Sequence, residues 1–299
     1  MRRCCGRVDG GPVVYPRQVN RFYCGPLAAW ARAWLIGEAA FDDVLVAASS
    51  PVPAARLARL APLSRVSGLA RGDLPVDGAD AGTVGAGGTG GDADGRPAPL
   101  GAALIAWRQA RATVRLVLPV PGDVRGLAGP PLFRADAIEF GQALSGGGLG
   151  LVPQLIDHRP SSAPPTLLWR AYQIEPPTPD FISVSDAQHD LTEAIRECAS
   201  VVRSAAELAG SAPRSEQLSA ARRAGERINL PPNFPPRAVA LIAQAERLAV
   251  VLSLAGADVS PDSAARDQRA DERRHALAPL VLAVRRARLA GYNADEDAL

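Results

Sequence analysis

The run Gly82-Thr83-Val84-Gly85-Ala86-Gly87-Gly88-Thr89-Gly90-Gly91 divides the chain. It has almost nothing to bury, so its ordering entropy, roughly 1–2 kcal/mol per residue, goes uncompensated. Residues 68–98 therefore read as a disordered Gly/Asp-rich linker, and no core is expected to run through them. Upstream, residues 1–25 lack periodicity and read as an irregular leader, and residues 26–67 read as a helical segment. Pro26 suits a first helical position, and Leu27, Trp30 and Trp34 recur on one helical face.

Downstream, residues 99–180 carry the strand signals of a small α+β domain. Ala112 to Val120 is rich in β-branched residues, and Leu149 to Ile156 and Leu167 to Ile174 read as further strands of one sheet. Leu132 to Leu144 has two readings. Phe133, Ala137, Phe140 and Leu144 share a helical face, while Gly141 interrupts it. Residues 181–299 read as a C-terminal helical bundle. Ser185 and Gln188 have capping-box spacing, and Leu191, Ile195, Cys198 and Val202 form a stripe at helical period. A polar helix is expected from Ser215 to Ile228. Pro236 opens a helix ending near Gly256 that is apolar nearly all round, which predicts the central element of the bundle. Ser260-Pro261 caps a last helix reaching about Gly291, with Pro279 placed to kink it. The fold class is thus α+β and mostly helical.

The chain has no lysine; all 33 basic residues are arginine. That excludes Schiff-base chemistry, a Walker A phosphate loop and a protein-kinase core from this chain. Aromatics make up 5%, so the core is expected to be aliphatic. A net charge of +2 gives no argument for nucleic acid. Cys4, Cys5, Cys24 and Cys198 show no framework spacing, which fits a reducing cytoplasm. Arg2 and Arg3 precede only the Val13-Val14 pair, so no secretory leader is expected. Gln244, Glu246 and Arg247 interrupt the longest apolar run, so no membrane insertion is expected.

Three strings carry a resemblance: Leu118-Pro119-Val120-Pro121-Gly122-Asp123-Val124-Arg125-Gly126, Gly148-Leu149-Gly150-Leu151-Val152-Pro153, and the proline-rich entry to the helix at Pro236. Over roughly residues 100–293 they resemble an uncharacterised protein family of high-GC Gram-positive bacteria. The resemblance implies no activity and supplies no catalytic residue.

No motif survives as a cofactor or metal site. Gly85-x-Gly87-x-x-Gly90 matches a dinucleotide string, but no strand precedes it and no helix follows. Asp92-x-Asp94-Gly95 lacks the acid that closes a calcium loop. His158, His189 and His275 are isolated from one another. The residues that could meet a ligand are Asp123 and Arg125 in a loop after the first strand, His158 after a strand end, and Arg170 on a strand. Arg274, Arg285 and Arg288 make the last helix basic on part of its surface, a candidate contact for a protein partner. Without aromatic stacking partners, that stripe argues against nucleic acid. The expectation is a non-enzymatic cytoplasmic interaction or adaptor protein with no cofactor. The alternatives are an enzyme or small-ligand binder with its site in residues 99–180, and a weak nucleic-acid binder.

Overall fold

The computed structural model describes residues 13–14, 24–49, 65–67, 98–157, 166–175, 182–208, 219, 223, 228–254 and 268–294. Within them lie helices α1 (Cys24–Leu35), α2 (Phe41–Ser49), α3 (Leu100–Gln109), α4 (Pro131–Phe140), α5 (Val184–Leu208), α6 (Pro236–Leu254) and α7 (Gln268–Tyr292). The long strands are β6 (Leu149–Asp157) and β7 (Thr166–Gln173). Shorter ones are β1 (Val13–Val14), β2 (Arg65–Ser67), β3 (Ala98–Pro99), β4 (Arg115–Val117) and β5 (Ala143–Gly146). The described residues are α+β and mostly helical. The glycine run 82–91 and nearly all of the polar helix expected at 215–228 lie outside the described residues.

All seven strands join one sheet in the order β3-β2-β7-β6-β5-β4, with β1 alongside β6. The four strands β4 to β7 pair antiparallel, and β2 runs parallel to β7. The sheet is larger than the three strands read from the sequence. Val13-Val14, expected in an irregular leader, pairs with Ile156 and Asp157. Leu132 to Leu144 resolves into both of its readings. Pro131 starts α4, Gly141 ends it in the left-handed region at φ 68°, and β5 follows.

Local chemistry explains each chain reversal. Gly146 pairs with Leu149, which leaves Gly147 and Gly148 as a two-residue hairpin loop with φ 53° and 79°. Both central residues of a type I′ turn need positive φ. α3 ends with Ala112 N–H donating to Trp107 O and Arg111 N–H to Arg108 O, the two bonds of a Schellman motif. Arg111 takes the left-handed position at φ 49°, where glycine is the usual occupant. α5 is capped two residues earlier than the Ser185-x-x-Gln188 spacing predicts. Ser183 Oγ accepts from Asp186 N–H at 3.0 Å, and Gln188 is free to bond Gln244 of α6.

Strand alternation gives the sheet two covered faces. Leu116, Leu144, Leu151, Trp169 and Ala171 point to one face and are buried against α1 and α3. Val117, Ala143, Val152 and Tyr172 point to the other, under Phe133 and Ala137 of α4. Gly150 lets α4 sit close, because a Cβ there would lie 2.6 Å from Phe133 Cε2. A second core joins α5, α6 and α7 through Leu191, Cys198, Leu241, Ala245, Leu277 and Ala287.

The central helix of that bundle is α7, not α6 as its apolar composition predicts. α7 packs along both α5 and α6, which scarcely touch each other. Ala283, Ala287, Ala290 and Gly291 make close packing possible, and a Cβ on Gly291 would lie 2.5 Å from Ile242 Cγ1. α7 runs through exposed Pro279 as one helix, so the proline does not split it. Among the described residues no helix is long and apolar enough to cross a membrane.

Two substitutions test this packing by chemical denaturation. Gly150→Ala is expected to destabilise by about 1–3 kcal/mol through overpacking on Phe133, with Phe133→Leu restoring part of the loss. Arg111→Gly is expected to stabilise by about 1 kcal/mol by relieving the left-handed backbone.

Candidate functional site

Three of the charged residues singled out by sequence, Asp123, Arg125 and Arg285, gather where the sheet meets α7. After β4, Val120 and Asp123 exchange backbone hydrogen bonds of 3.0 and 2.9 Å, which closes a tight turn with Gly122 at φ 88°. The turn holds the Asp123 carboxylate where two arginines reach it. Arg125 donates to both oxygens at 2.9 Å, and Arg285 of α7 donates to Oδ2 at 2.6 Å. Arg285 also donates from Nε to Leu118 O. The Arg125 hydrogen bond first, and then Arg285, hold the Asp123 carboxyl well below the usual carboxylate range. Arg125 is 54% exposed, whereas Arg285 is only 10% exposed.

The arginines of α7 diverge to three elements. Arg285 meets the turn after β4, Arg286 meets Asp190 of α5 at 3.0 Å, and Arg288 meets Glu246 of α6 through bonds of 3.0 and 2.6 Å. Arg285 and Arg288, read as a basic surface stripe, are therefore engaged inside the protein. Arg274 lies partly buried near the start of α7. Buried Tyr292 follows Arg288 by one turn, and burial first, then Glu246, pushes its phenol up.

The end of α7 covers the edge of the sheet. Asn293 Oδ1 accepts from Leu116 N–H at 2.7 Å, and Asn293 Nδ2 donates to Leu116 O at 2.9 Å. Arg32 of α1 donates to Val114 O at 3.0 Å and to Tyr292 O. Asn293 and Arg32 escaped the sequence reading. Arg32 carries a visible signal, a lone cation inside an apolar helix. Asn293 carries none, since an Asn beyond a helix end reads as an ordinary terminus.

Arg170 sits elsewhere, on β7, which β6 and β5 separate from β4. It donates to Asp136 of α4, as does Tyr172 OH. Burial and then Asp136 raise the Tyr172 phenol, so it stays protonated at neutral pH and serves as a donor. Arg170 remains 40% exposed and can present part of its fork to an anion. His158 lies outside the described residues. Burial pushes the Cys24 thiol up, the opposite of what a nucleophilic cysteine needs. Three buried polar atoms, Ser145 Oγ, Trp169 Nε1 and Arg286 Nε, have no hydrogen-bond partner among the described residues; the first two lie on opposite faces of the sheet and the third on α7.

The Asp123 junction has a pH signature. A depressed native carboxyl stabilises the fold above its unfolded pKa of about 3.9, and that contribution fades as pH falls below it. Asp123→Asn is expected to lower the melting temperature at pH 7, and the gap to wild type should close as acid protonates Asp123. Thermal melts of both proteins across pH 2–7 check this.

Comparison with known proteins places both halves of the junction in one family. The description "Rv1486c-like protein, N-terminal domain" matches residues 24–182, and "Rv1486c-like protein, C-terminal domain" matches residues 185–289. Asp123 belongs to the first and Arg285 to the second. The relative named "Uncharacterized protein Rv1486c" from Mycobacterium tuberculosis is 32% identical over 294 residues, covering 90% of this chain and 95% of the relative. "Uncharacterized protein ML1804" from Mycobacterium leprae is 30% identical over 294 residues, with the same coverage of 90% and 95%. No solved structure matches. The resemblance read from the strings around Asp123 and Gly150 thus has a specific object: this chain belongs to the Rv1486c-like family.

Proposed function

We propose that this protein is an interaction module that engages a protein partner at the seam between α7 and the turn after β4. The observation that carries the reading is an apolar set exposed around an ion pair. Val120 and Val124 flank Asp123 and are 37% and 45% exposed. Leu282, 45% exposed, lies one helical turn before Arg285, the residue that grips Asp123. Single exposed aliphatics are common, but an apolar group ringed by polar residues is the usual form of a contact surface. The Arg285–Asp123 ion pair joins the two sides of the seam and Arg286–Asp190 ties α7 to α5, so little order is lost on binding.

A second reading, binding of a small anionic ligand, is favoured by one observation. Arg170 is held by Asp136, yet part of its guanidinium faces solvent. A carboxylate or phosphate is the chemistry it would take.

The two readings separate in one experiment. Tagged wild type and a Val124→Asp/Leu282→Asp variant are used to capture partners from native lysate after cross-linking, with intact-mass analysis of each purified protein. A stoichiometric protein retained by wild type and lost by the variant, at unchanged melting temperature, supports the interaction reading. Equal capture by both sinks the proposed surface. A co-purifying anion lost on Arg170→Ala, with no protein retained, moves the assignment to the ligand reading.

A further inference from the structure

Arg170 and Tyr172 stand two apart on β7, so both point to the face under α4. There Asp136 of α4 takes both donors on one oxygen, with Arg170 Nη1–H and Tyr172 O–H donating to Oδ2. Arg170 Nη1 also donates to Tyr172 OH at 3.4 Å. The Tyr172 ring is itself held against Phe133, with ring centres 5.4 Å apart. Phe133, Tyr172 and Asp136 thus fix the guanidinium by one end.

That hold leaves the opposite edge open. Among the described residues Nε and Nη2 of Arg170 meet no acceptor, and the side chain is 40% exposed. Twice elsewhere in this molecule the same edge grips a carboxylate. Arg125 bonds Asp123 through Nε and Nη2 at 2.9 Å each, and Arg288 bonds Glu246 through Nε and Nη2 at 3.0 and 2.6 Å. These are the paired parallel bonds that match a planar carboxylate. At Arg170 the protein's own carboxylate sits on Nη1 instead, so the matching edge faces outward without one.

The charge around Arg170 limits what fits there. Asp136 already offsets the one cation, and its Oδ1 accepts no bond among the described residues. Exposed Glu139 follows Asp136 by three residues on the same side of α4. Arg134, two residues before Asp136, leaves the helix on another side. A phosphate monoester brings about two negative charges to this cluster at neutral pH. A carboxylate brings one. Partly buried Phe140 lies one turn after Asp136 and offers apolar surface beside the cluster.

We infer that Arg170 anchors a small acid with a single carboxylate, gripped through Nε and Nη2, with Asp136 and Tyr172 as positioning residues. The inference rests on the small-ligand reading of Arg170 and narrows it from any oxyanion to a monocarboxylate. Asp136 acts twice. It holds the fork by the end opposite the open edge, and its own charge opposes a second full charge beside it. The site lies apart from the Val120–Val124–Leu282 seam of the interaction reading.

The test uses the full chain with isotope-labelled arginine, read by magnetic resonance at the Arg170 Nε–H. Hexanoate, hexyl phosphate and hexanol, which share a tail and differ in head group, are titrated separately at neutral pH. Hexanoate is expected to move the signal saturably and to bind at least about tenfold more tightly than hexyl phosphate, and hexanol to leave it unmoved. If neither anion moves the signal, the small-ligand reading and this inference fail together. If hexyl phosphate binds as tightly as hexanoate, the small-ligand reading stands and the monocarboxylate assignment is overturned. A shift with hexanol equal to that with hexanoate would assign the contact to the tail and overturn the anchor role of Arg170. Asp136→Asn is expected to erase most of the preference for hexanoate. A folded variant that keeps the full preference overturns the charge argument. If that variant fails to fold, Glu139→Gln on the exposed side of α4 is expected to narrow the preference and is read in the same way.

Discussion

The structure depends on how the open edge of β4 is closed. A sheet edge presents unpaired amides and carbonyls, and leaving such groups buried without partners is costly. Here the solution is tertiary. Asn293 stands in for a strand residue at Leu116, and Arg32 and Arg285 take the flanking carbonyls of Val114 and Leu118. Because the caps come from both ends of the described chain, sealing the sheet also fixes where α1 and α7 lie. Edge protection and domain docking are one set of bonds.

The arginines of α7 follow from the same arrangement. A helix at the centre of a bundle is usually apolar on most of its surface. α7 instead keeps Ala283, Ala287 and Ala290 for close packing and sends Arg285, Arg286 and Arg288 outward to three carboxylates on three elements. Arginine suits this role because its planar fork stays charged and can grip a carboxylate through two bonds, as Arg288 does with Glu246. The absence of lysine from the chain removes some chemistry, and these ion pairs draw on the fork that remains.

How much of this was legible in the sequence differs from element to element. Strands at Ala112–Val120, Leu149–Ile156 and Leu167–Ile174 showed in β-branched content, and Gly147-Gly148 form the β5–β6 hairpin loop. β5 was hidden because four residues adjoining a helix do not display alternation. The cap of α5 was placed at Ser185, since spacing alone cannot tell which of two serines, 183 or 185, has the geometry to bond an amide. Asp123 was legible as a turn acid beside Arg125. That Arg285 would join them was not, because the three residues are neighbours only once α7 lies against β4.

The amino-acid sequence by itself determined the helix and strand periods, the turn glycines and the proline starts at Pro131 and Pro236, because each depends on residues a few positions apart; the core expected to be aliphatic instead buries Trp107, Trp169, Phe133 and Tyr292 among its aliphatic residues. Only the tertiary structure decided which helix is central, which arginines are surface and which are internal, and how the β4 edge is sealed. Those outcomes depend on contacts between residues far apart in the chain, such as Leu116 with Asn293 and Asp123 with Arg285. No local pattern encodes them, because these two bonds join residues 177 and 162 positions apart.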